Sequence, residues 1–510
     1  MRDFLKLVSE KVVVFDGGMG ATLEEVDLTT EDYGGLAGKC HEALVLNRPD
    51  VIEGVHASML EAGADVVETD TFQASRLKLD EWGLGQHTLE INIKAAEIAR
   101  KAAGPDRYVA GSIGPTGFLP ASDDPTLGGI TFRELQTIFE EQARGLVQGG
   151  SDLIIIETAQ DILEVKAAIF GARQAFENTG TKLPLMISVS LLPNGGKMLL
   201  GTDISSVLTT LSALEVDVIG LNCSTGPEDM RDAVRFLGEW SPMPVHCIPN
   251  AGLPLQGPDG ETIFPEEPES LAASLAEFVD RYGVGIVGGC CGTKPAHIKA
   301  VADAVAGKKP APRPAARPAF VSSMITATSL VQDPRPTIVG ERVNSQGSRK
   351  AKEMLLADDY DGLVQIAEDQ VEGGAHVLDV CVALTERQDE DEQMREIVKR
   401  ISLTQTAPIQ IDSTEPEVIE AALEQIPGRA IVNSVNLEAG RDKMDLIVPM
   451  ARQHGAAVIA LTIDEVGMAK TAERKLEIAR RIHDICCGDH GLPAEALIFD
   501  ALTFTLTTGD

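Results

Sequence analysis

Short runs of consecutive apolar residues alternate with longer amphipathic stretches through the first 305 residues of the chain. Two of the longer stretches, 132–150 and 270–283, carry apolar residues at helical spacing, and Gly283 at the end of the second is a helix C-terminus signal. The short runs are predicted to be buried strands. They are VVVF (12–15), DVVET (65–69), YVAGS (108–112), LIIIE (153–157), LMISVS (185–190), VIGLNC (218–223), VHCIPN (245–250) and GIVGGC (285–290).

Eight strands, each followed by sequence long enough for a helix, predict a parallel (β/α)8 barrel over residues 1–305. A doubly wound open sheet can show similar alternation, but the count of eight and the placement of polar residues favour the barrel. Polar residues stand at the downstream ends of the runs, which meet at one face of a parallel barrel, where active sites are built. They are Asp16, Glu68, Thr69, Asp70, Ser112, Glu157, Asn222, Cys223, Asn250, Cys290 and Cys291.

The same alternation returns near Thr337 and continues to the last residue of the sequence. Six parallel strands would not close a barrel of this type and would leave an unpaired edge. We therefore expect a second (β/α)8 TIM barrel over residues 336–510, in tandem with the first and truncated after about six strands. Its predicted strands are TIVGERVN (337–344), HVLDVCVA (376–383), PIQIDST (408–414), AIVNSVN (430–436), AAVIALTID (456–464) and ALIFDALTF (496–504).

A proline-rich segment separates the two predicted barrels. Residues 308–318, KKPAPRPAARP, alternate proline with alanine and basic residues. That composition is typical of a stiff, extended and solvated spacer, and it cannot build a core. We assign residues 306–335 as the linker.

Composition and charge narrow the classes of partner. The chain has 510 residues, 44% hydrophobic and 24% charged, which is typical of a globular protein. It carries 44 Lys and Arg against 78 Asp and Glu, a balance that repels nucleic acid and anionic lipid. The acidic run 389–392 is interpreted as a solvated loop. Because no targeting segment is recognised, we expect a cytoplasmic location and eight cysteines that are reduced or metal-bound.

Three cysteines stand at two predicted strand ends. Cys223 ends the sixth strand, and Cys290 and Cys291 end the eighth, flanked by glycines in GGCCG. Three thiolates can hold zinc and leave its fourth position open for a substrate thiol, whose deprotonation the metal would favour. Three buried structural cysteines are the alternative. The glycines indicate a backbone pressed close to a neighbour, which favours the metal site.

Motifs along the first segment resemble the homocysteine S-methyltransferase domain, which is shared by cobalamin-dependent methionine synthases and betaine–homocysteine methyltransferases. The resemblance implies that Cys223, Cys290 and Cys291 hold Zn²⁺. It implies that Asp16 and Glu157 receive the homocysteine ammonium, with Ser112, Thr69 and Asn222 as further substrate contacts. Asp70 departs from the Asn expected in this motif. The motifs are FDGGMGATL (15–23), ETDTF (68–72), GSIGPTG (111–117), IIIET (154–158), GLNCSTGP (220–227), PNAGLP (249–254) and GGCCGTKPAHI (288–298).

The second segment resembles the pterin-binding domain of the same synthase family, which is related to dihydropteroate synthase. Its motifs are GERVN (340–344), GGAHVLDV (373–380), PIQIDST (408–414), IVNSVN (431–436), DEVGMAKT (464–471) and LIFDALTF (497–504). Cys381 stands where the family usually has Asn. The implied pterin contacts are Asp412, Asn433 and Asp500, followed by Glu341, Asn344 and Asp379.

Together the two resemblances imply two methyl transfers. The second barrel would bind 5-methyltetrahydrofolate, whose methyl passes to cobalamin, and the first would present zinc-bound homocysteine to methylcobalamin. We find no D-x-H-x-x-G cobalamin signature, so the cobalamin-binding domain is expected downstream or on another chain. The alternatives are a cobalamin-independent enzyme using betaine or a sulfonium donor, and a zinc- or folate-binding protein without turnover. The pterin barrel argues against the first and the cysteine triad against the second.

Overall fold

The computed structural model describes residues 3–36, 40–193, 195–257, 262–314 and 319–503. They belong to two compact units. The first unit comprises Met1–Ile204 and Val216–Ala316, and the second comprises Ser205–Glu215 and Arg317–Asp510. The segment Ser205–Glu215, which lies within the range predicted for the first barrel, is thus grouped with the second unit.

The first unit contains the predicted eight-stranded parallel sheet. Its strands are Val13–Val14, Val66–Glu68, Tyr108–Ile113, Leu153–Ala159, Leu185–Val189, Val218–Asn222, Val245–Ile248 and Ile286–Val287. Neighbouring strands follow one another in chain order, and the first strand pairs with the eighth through Val13 and Ile286. A parallel bridge between Phe15 and Val66 joins the first strand to the second. All eight predicted strands are therefore confirmed in a sheet that closes on itself.

Helices follow the strands, as the alternating pattern predicts. The helix over 132–148 begins with a capping box, in which Thr131 Oγ1 accepts from the Glu134 N–H and the Glu134 side chain accepts from the Thr131 N–H. Gly283 ends the helix Pro268–Tyr282 with φ 69°, a left-handed conformation that favours glycine. The helices are Phe4–Glu10, Met19–Leu23, Glu42–Asn47, Pro49–Glu61, Arg76–Asp80, Thr88–Ala103, Phe132–Gln148, Ile162–Thr179, Ile204–Ala213, Pro227–Trp240, Pro268–Tyr282 and Pro295–Val305.

The first helix, Phe4–Glu10, precedes the barrel and packs against its interior. The Phe4 ring lies edge-on to the rings of Phe15 and Tyr108, with centroids 6.4 and 5.8 Å away. Tyr108 begins the third strand, so this aromatic cluster fills the amino end of the barrel. The carboxyl end remains available for the polar residues that terminate the strands.

The second unit contains a six-stranded parallel sheet within the described residues, in chain order throughout. All six predicted strands are confirmed as Val339–Asn344, Val377–Cys381, Ile409–Asp412, Ile431–Val435, Ala457–Leu461 and Leu497–Asp500. Its helices are Arg349–Leu356, Tyr360–Glu372, Glu390–Thr404, Pro416–Leu423, Asp442–Gln453 and Ala472–His483. No helix among the described parts of the chain combines the length and apolar character needed to cross a membrane.

The acidic run 389–392 is not the solvated loop predicted from its composition. Asp389 precedes the helix Glu390–Thr404, and the three acids that follow occupy its first turn. Carboxylates stabilise that position because the amino end of a helix carries partial positive charge. The run is therefore a helix start, which composition by itself does not distinguish from a loop.

Parts of the predicted linker, residues 306–335, are hydrogen-bonded within the first unit, and other parts within the second. Arg313 donates to the carbonyl oxygens of Leu237, Gly238, Ser241 and Gly283 at 2.9–3.2 Å, so this part is bound to the first unit and is not a solvated spacer.

Later in the same range, Phe320–Ser322 and Ala327–Ser329 form an antiparallel pair. Arg429 of the second unit donates to Phe320 O at 3.0 Å and, through its backbone N–H, to Ser322 Oγ at 2.9 Å. The rest of the proline-rich motif, 315–318, lies outside the described residues.

Candidate metal and substrate sites

The three cysteines predicted as zinc ligands meet at the carboxyl end of the first barrel. Cys223 follows the sixth strand, and Cys290 and Cys291 follow the eighth. Their sulfur atoms all lie within 4.8 Å of one another, and the sulfur atoms of Cys223 and Cys291 are 3.7 Å apart. Cys223 and the pair Cys290–Cys291, with 66 residues between them in the sequence, thus lie together at one side of the barrel mouth.

The seventh strand brings these cysteines together because it lies between the sixth and the eighth. Its end supplies backbone acceptors to both sides, with the Cys223 N–H donating to Ile248 O at 3.2 Å and the Cys290 N–H to Pro249 O at 2.8 Å. Asn250 Oδ1 then accepts from the Cys291 N–H at 3.1 Å. The triad is therefore built on hydrogen-bonded strand ends rather than on a free loop.

Glycines let the chain turn tightly around the cysteine pair. A Cβ on Gly289 would stand 2.4 Å from Thr293 Oγ1, and one on Gly292 would stand 2.2 Å from Phe264 Cγ. Gly292 also has φ 76°, a region that side chains disfavour. The close backbone approach expected from GGCCG is confirmed, and a larger residue at either position would clash with Thr293 or Phe264.

The triad fits zinc by its chemistry and by its spacing. Two sulfur atoms bound at about 2.3 Å to a tetrahedral centre lie about 3.8 Å apart, which the Cys223–Cys291 separation matches. Cys223 and Cys290 are half-buried and Cys291 is exposed, so a fourth ligand can approach from solvent. Hydrogen bonds from the Cys290 and Cys291 thiols lower the pKa of Cys223 to about 3, and the same contacts with Cys223 raise the pKa values of Cys290 and Cys291, so one of the three thiols is ionised.

Three carboxyl groups lie at the same end of the barrel. Asp16 and Glu157 are buried and Glu68 is half-buried. Burial raises the pKa of all three, that of Glu157 to about 7, and each of Asp16 and Glu68 feels the charge of Glu157. Excess negative charge in a desolvated site favours a cationic ligand such as an ammonium group.

Neutral donors orient Glu157. Ser112 Oγ donates to Glu157 Oε1 at 2.6 Å, and Asn222 Nδ2 donates to Oε2 at 2.9 Å. The Asn222 amide is itself fixed, because its Oδ1 accepts from the Thr158 N–H at 2.8 Å and from Ser188 Oγ at 2.6 Å. Ser112 and Asn222 were predicted as site residues, and the structure brings both onto Glu157.

Thr69 and Asp70 lie beside this group but have different surroundings. Thr69 Oγ1 accepts from the Ser112 N–H at 3.0 Å and shares a hydrogen bond with Thr71 Oγ1 at 2.6 Å. The Thr69 hydroxyl is thus already hydrogen-bonded to other residues of the barrel. Asp70 is buried, and its Oδ2 has no hydrogen-bond partner among the described residues. Burial and the nearby Glu42 raise the pKa of Asp70 well above its ordinary range.

The second unit gathers a polar cluster of its own at its strand ends. Asn344 Nδ2 donates to Asp379 Oδ2 at 2.8 Å and to Asp412 Oδ2 at 2.9 Å. Gln410 Nε2 donates to Asp379 Oδ1 at 2.6 Å, and the Asn433 side chain also bonds Asp379. Four of the six predicted pterin contacts therefore form one connected network.

Burial raises the pKa of Asp412 to about 6, and the charges of Asp379 and Glu341 add to the rise against the hydrogen bond from Asn344. Glu341 itself is exposed, and so is Asp500, whose Oδ1 accepts from the Leu502 N–H at 2.7 Å. Cys381 is buried beside Ser345 Oγ, 3.7 Å from its sulfur. Among the predicted pterin contacts, Asp412 has the carboxyl group whose pKa is raised furthest.

Three residues that contact these sites have no role predicted from the sequence. Glu68 and Asn250 were among the polar strand ends but received no function. Gln410 went unnoticed, although a polar residue between two isoleucines of PIQID indicates an inward-facing hydrogen-bonding group.

Both segments of the chain match families of known proteins. Residues 13–305 match the homocysteine S-methyltransferase family, and residues 340–510 match the pterin binding enzyme family. Methionine synthase of Mycobacterium tuberculosis is 42% identical over 516 aligned residues, and that of Mycobacterium leprae is 40% identical over 521. Each alignment covers 99% of this chain, which spans 42% of the length of either relative. Among solved structures, the metallated form of the homocysteine methyltransferase MmuM from Escherichia coli aligns with 59% of this chain and 98% of its own, with a TM-score of 0.47 and 24% identity.

Proposed function

This chain belongs to the homocysteine S-methyltransferase family, and we propose that it forms the homocysteine- and folate-binding part of a cobalamin-dependent methionine synthase. The first barrel would bind homocysteine and the second 5-methyltetrahydrofolate. The cobalamin would be carried by a separate module. The observation that carries the proposal is the cysteine triad beside a set of carboxyl groups at one barrel mouth, joined in one chain to a pterin-binding family match.

Cys223, Cys290 and Cys291 would hold the zinc ion. Zinc supplies Lewis acidity that favours the thiolate form of homocysteine at neutral pH, although a free thiol has a pKa of about 8.5. The exposed side of Cys291 leaves room for the substrate sulfur. The glycines around the pair keep the backbone close, so the sulfur atoms are held in place before substrate arrives.

Asp16 and Glu157 would bind the homocysteine ammonium. Both are buried acids at the barrel mouth, and an ammonium group gains most where its charge is matched out of water. Ser112 and Asn222 aim the Glu157 carboxylate by hydrogen bonds to its two oxygens. The amino acid end of the substrate is thereby positioned with its sulfur toward the cysteines.

In the proposed reaction the homocysteine sulfur would form a bond to a methyl carbon supplied as methylcobalamin, and the bond from that carbon to the donor would break with its electron pair left on the donor. Zinc held by Cys223, Cys290 and Cys291 would favour loss of the thiol proton beforehand. The products would be methionine and a demethylated cobalamin. Methyltetrahydrofolate held near Asn344, Asp379, Asp412 and Asn433 would then restore the methyl group.

The experiment is X-ray absorption at the zinc edge on the purified chain, with and without homocysteine. We expect three sulfur neighbours to become four when homocysteine is added, and about one proton to be released near neutral pH. A parallel assay supplies methylcobalamin and homocysteine and measures methionine. Nitrogen ligands, or an unchanged sulfur count with homocysteine present, would contradict the proposal.

A further inference from the structure

Glu68 contributes a third carboxyl group to the homocysteine site. It is the last residue of the second strand, and its backbone N–H donates to Asp16 Oδ2 at 3.0 Å. Its side chain is within hydrogen-bonding contact of Glu157. Two carboxyl groups can share a hydrogen bond only if one of them carries a proton.

The three carboxyl groups differ in the donors available to them. Asp16 accepts the Glu68 N–H, and Glu157 accepts from Ser112 Oγ and Asn222 Nδ2. No N–H or O–H group of the described residues donates to the Glu68 carboxyl. Although Glu68 is half-buried, its carboxylate would be the least stabilised of the three by hydrogen bonds from the protein, so Glu68 is the member that most readily takes a proton.

Charge balance points to the same residue. Homocysteine brings one ammonium group to a site that holds three acids, and the mutual repulsion of neighbouring carboxylates disfavours ionising all three. Asp16 and Glu157, which already accept neutral donors, are suited to face the ammonium as anions. Neutralising Glu68 removes the repulsion that its charge would exert on both.

We propose that Glu68 is a positioning residue for homocysteine: it stands as a protonated carboxyl that donates a hydrogen bond to Glu157 and holds that carboxylate for the substrate ammonium. The inference rests on the proposed function. It assigns Glu68 no contact with the reacting sulfur. A carboxamide can make the same donation, because its NH₂ group replaces the O–H donor.

The test compares Glu68→Gln with Glu68→Ala in the zinc-loaded chain. Binding of homocysteine and of 4-mercaptobutanoate, which keeps the thiol and carboxylate but lacks the ammonium, is measured by titration calorimetry. We expect Glu68→Gln to bind homocysteine within about twofold of the unaltered protein and Glu68→Ala to bind it about tenfold more weakly. Affinity for 4-mercaptobutanoate should stay unchanged in both variants. Glu61→Ala, an exposed change on the outer helix Pro49–Glu61, is the control and should alter neither affinity.

The possible outcomes distinguish failure of the Glu68 inference from failure of the proposed function. Equal loss of both thiols in Glu68→Ala would indicate general disruption of the site and overturn the inference, as would unchanged homocysteine binding in that variant. A Glu68→Gln variant as weak as Glu68→Ala would show that negative charge is needed there, which also overturns it. Failure of the unaltered zinc-loaded chain to bind either thiol would instead overturn the proposed function, and the inference with it.

Discussion

Asn222 Nδ2 lies 2.9 Å from Glu157 Oε2, and the same nitrogen lies 3.8 Å from the sulfur of Cys290. The Asn222 amide thus contacts both Glu157, one of the three carboxyl groups, and Cys290, one of the three cysteines. Asn222 ends the sixth strand and is followed directly by Cys223, so the strand end sets both halves at once. We therefore expect homocysteine binding to depend on the contact between Asn222 and Glu157.

Asn222→Ala should weaken homocysteine binding while leaving zinc in place. The variant removes a charge-assisted hydrogen bond from Glu157, which contributes about 1.5–3 kcal/mol, or roughly tenfold to a hundredfold in affinity. Calorimetric titration gives the affinity, and metal analysis gives the zinc content. Loss of zinc together with homocysteine binding would indicate that Asn222 serves the metal site instead.

Cys291→Ala should lower zinc affinity by more than about 100-fold, since loss of an outer-shell partner alone costs about 10–100-fold. The change removes both a ligand and a neutralising charge. The barrel should keep its circular dichroism spectrum, because its core does not depend on the metal. Cys487→Ala is a matched control, as this half-buried cysteine lies in the second unit and outside the triad. Competition with a chelator measures the affinity, and equal affinities for the two variants would remove Cys291 from the site.

Methyltetrahydrofolate binding should weaken as pH falls through about 6. Burial raises the pKa of Asp412 to that value, with Asp379 and Glu341 as its charged neighbours and Asn344 as its donor. If the ionised carboxylate accepts the pterin N–H groups, binding is full above this pKa and is lost as the group protonates below it. Fluorescence titration would measure the effect. A test range from about pH 5 to about pH 8 covers roughly one unit or more on either side of the Asp412 pKa.

Two variants test whether Asp412 is the group responsible for this pH dependence. Asp412→Asn should bind more weakly at neutral pH by about 1.5–3 kcal/mol and should lose the pH dependence near 6. Glu372→Ala, an exposed change at the end of the helix Tyr360–Glu372, should keep both the affinity and its dependence. A pH profile that persists in Asp412→Asn would assign the titration to another group.

Arg313→Ala should destabilise the first unit. The guanidinium donates to four backbone carbonyl groups at the ends of two helices, and net contributions of about 1–3 kcal/mol are expected for a charged donor of this kind. Denaturant unfolding of the chain would detect the loss. Arg235→Ala should cost less than about 1 kcal/mol, since its ion pair with Asp232 is exposed. Equal stability of the two variants would mean that the proline-rich segment adds nothing to the first unit.

The sequence by itself determined the architecture and the location of the chemistry. Apolar runs at regular intervals identified all fourteen strands of the two sheets, because a parallel strand covered on both faces must be apolar along its length. Polar residues at the ends of those runs located the polar clusters at the carboxyl ends of both sheets. Cys223 and the pair Cys290–Cys291 were recognisable as candidate ligands because their types and positions suit one metal.

Only the tertiary structure decided which of these residues meet and how they are charged. Cys223 and Cys291 lie close together because the sixth and eighth strands, which they follow, both pair with the seventh strand. This proximity depends on the order of strands around the barrel. Glu68 acquired a role only through its contact with Glu157, and Arg313 became an anchor only through carbonyl groups distant in sequence. The physical reason is that burial and electrostatic interaction sum over neighbours in space, whereas the pattern along a chain records mainly the periodicity of each segment.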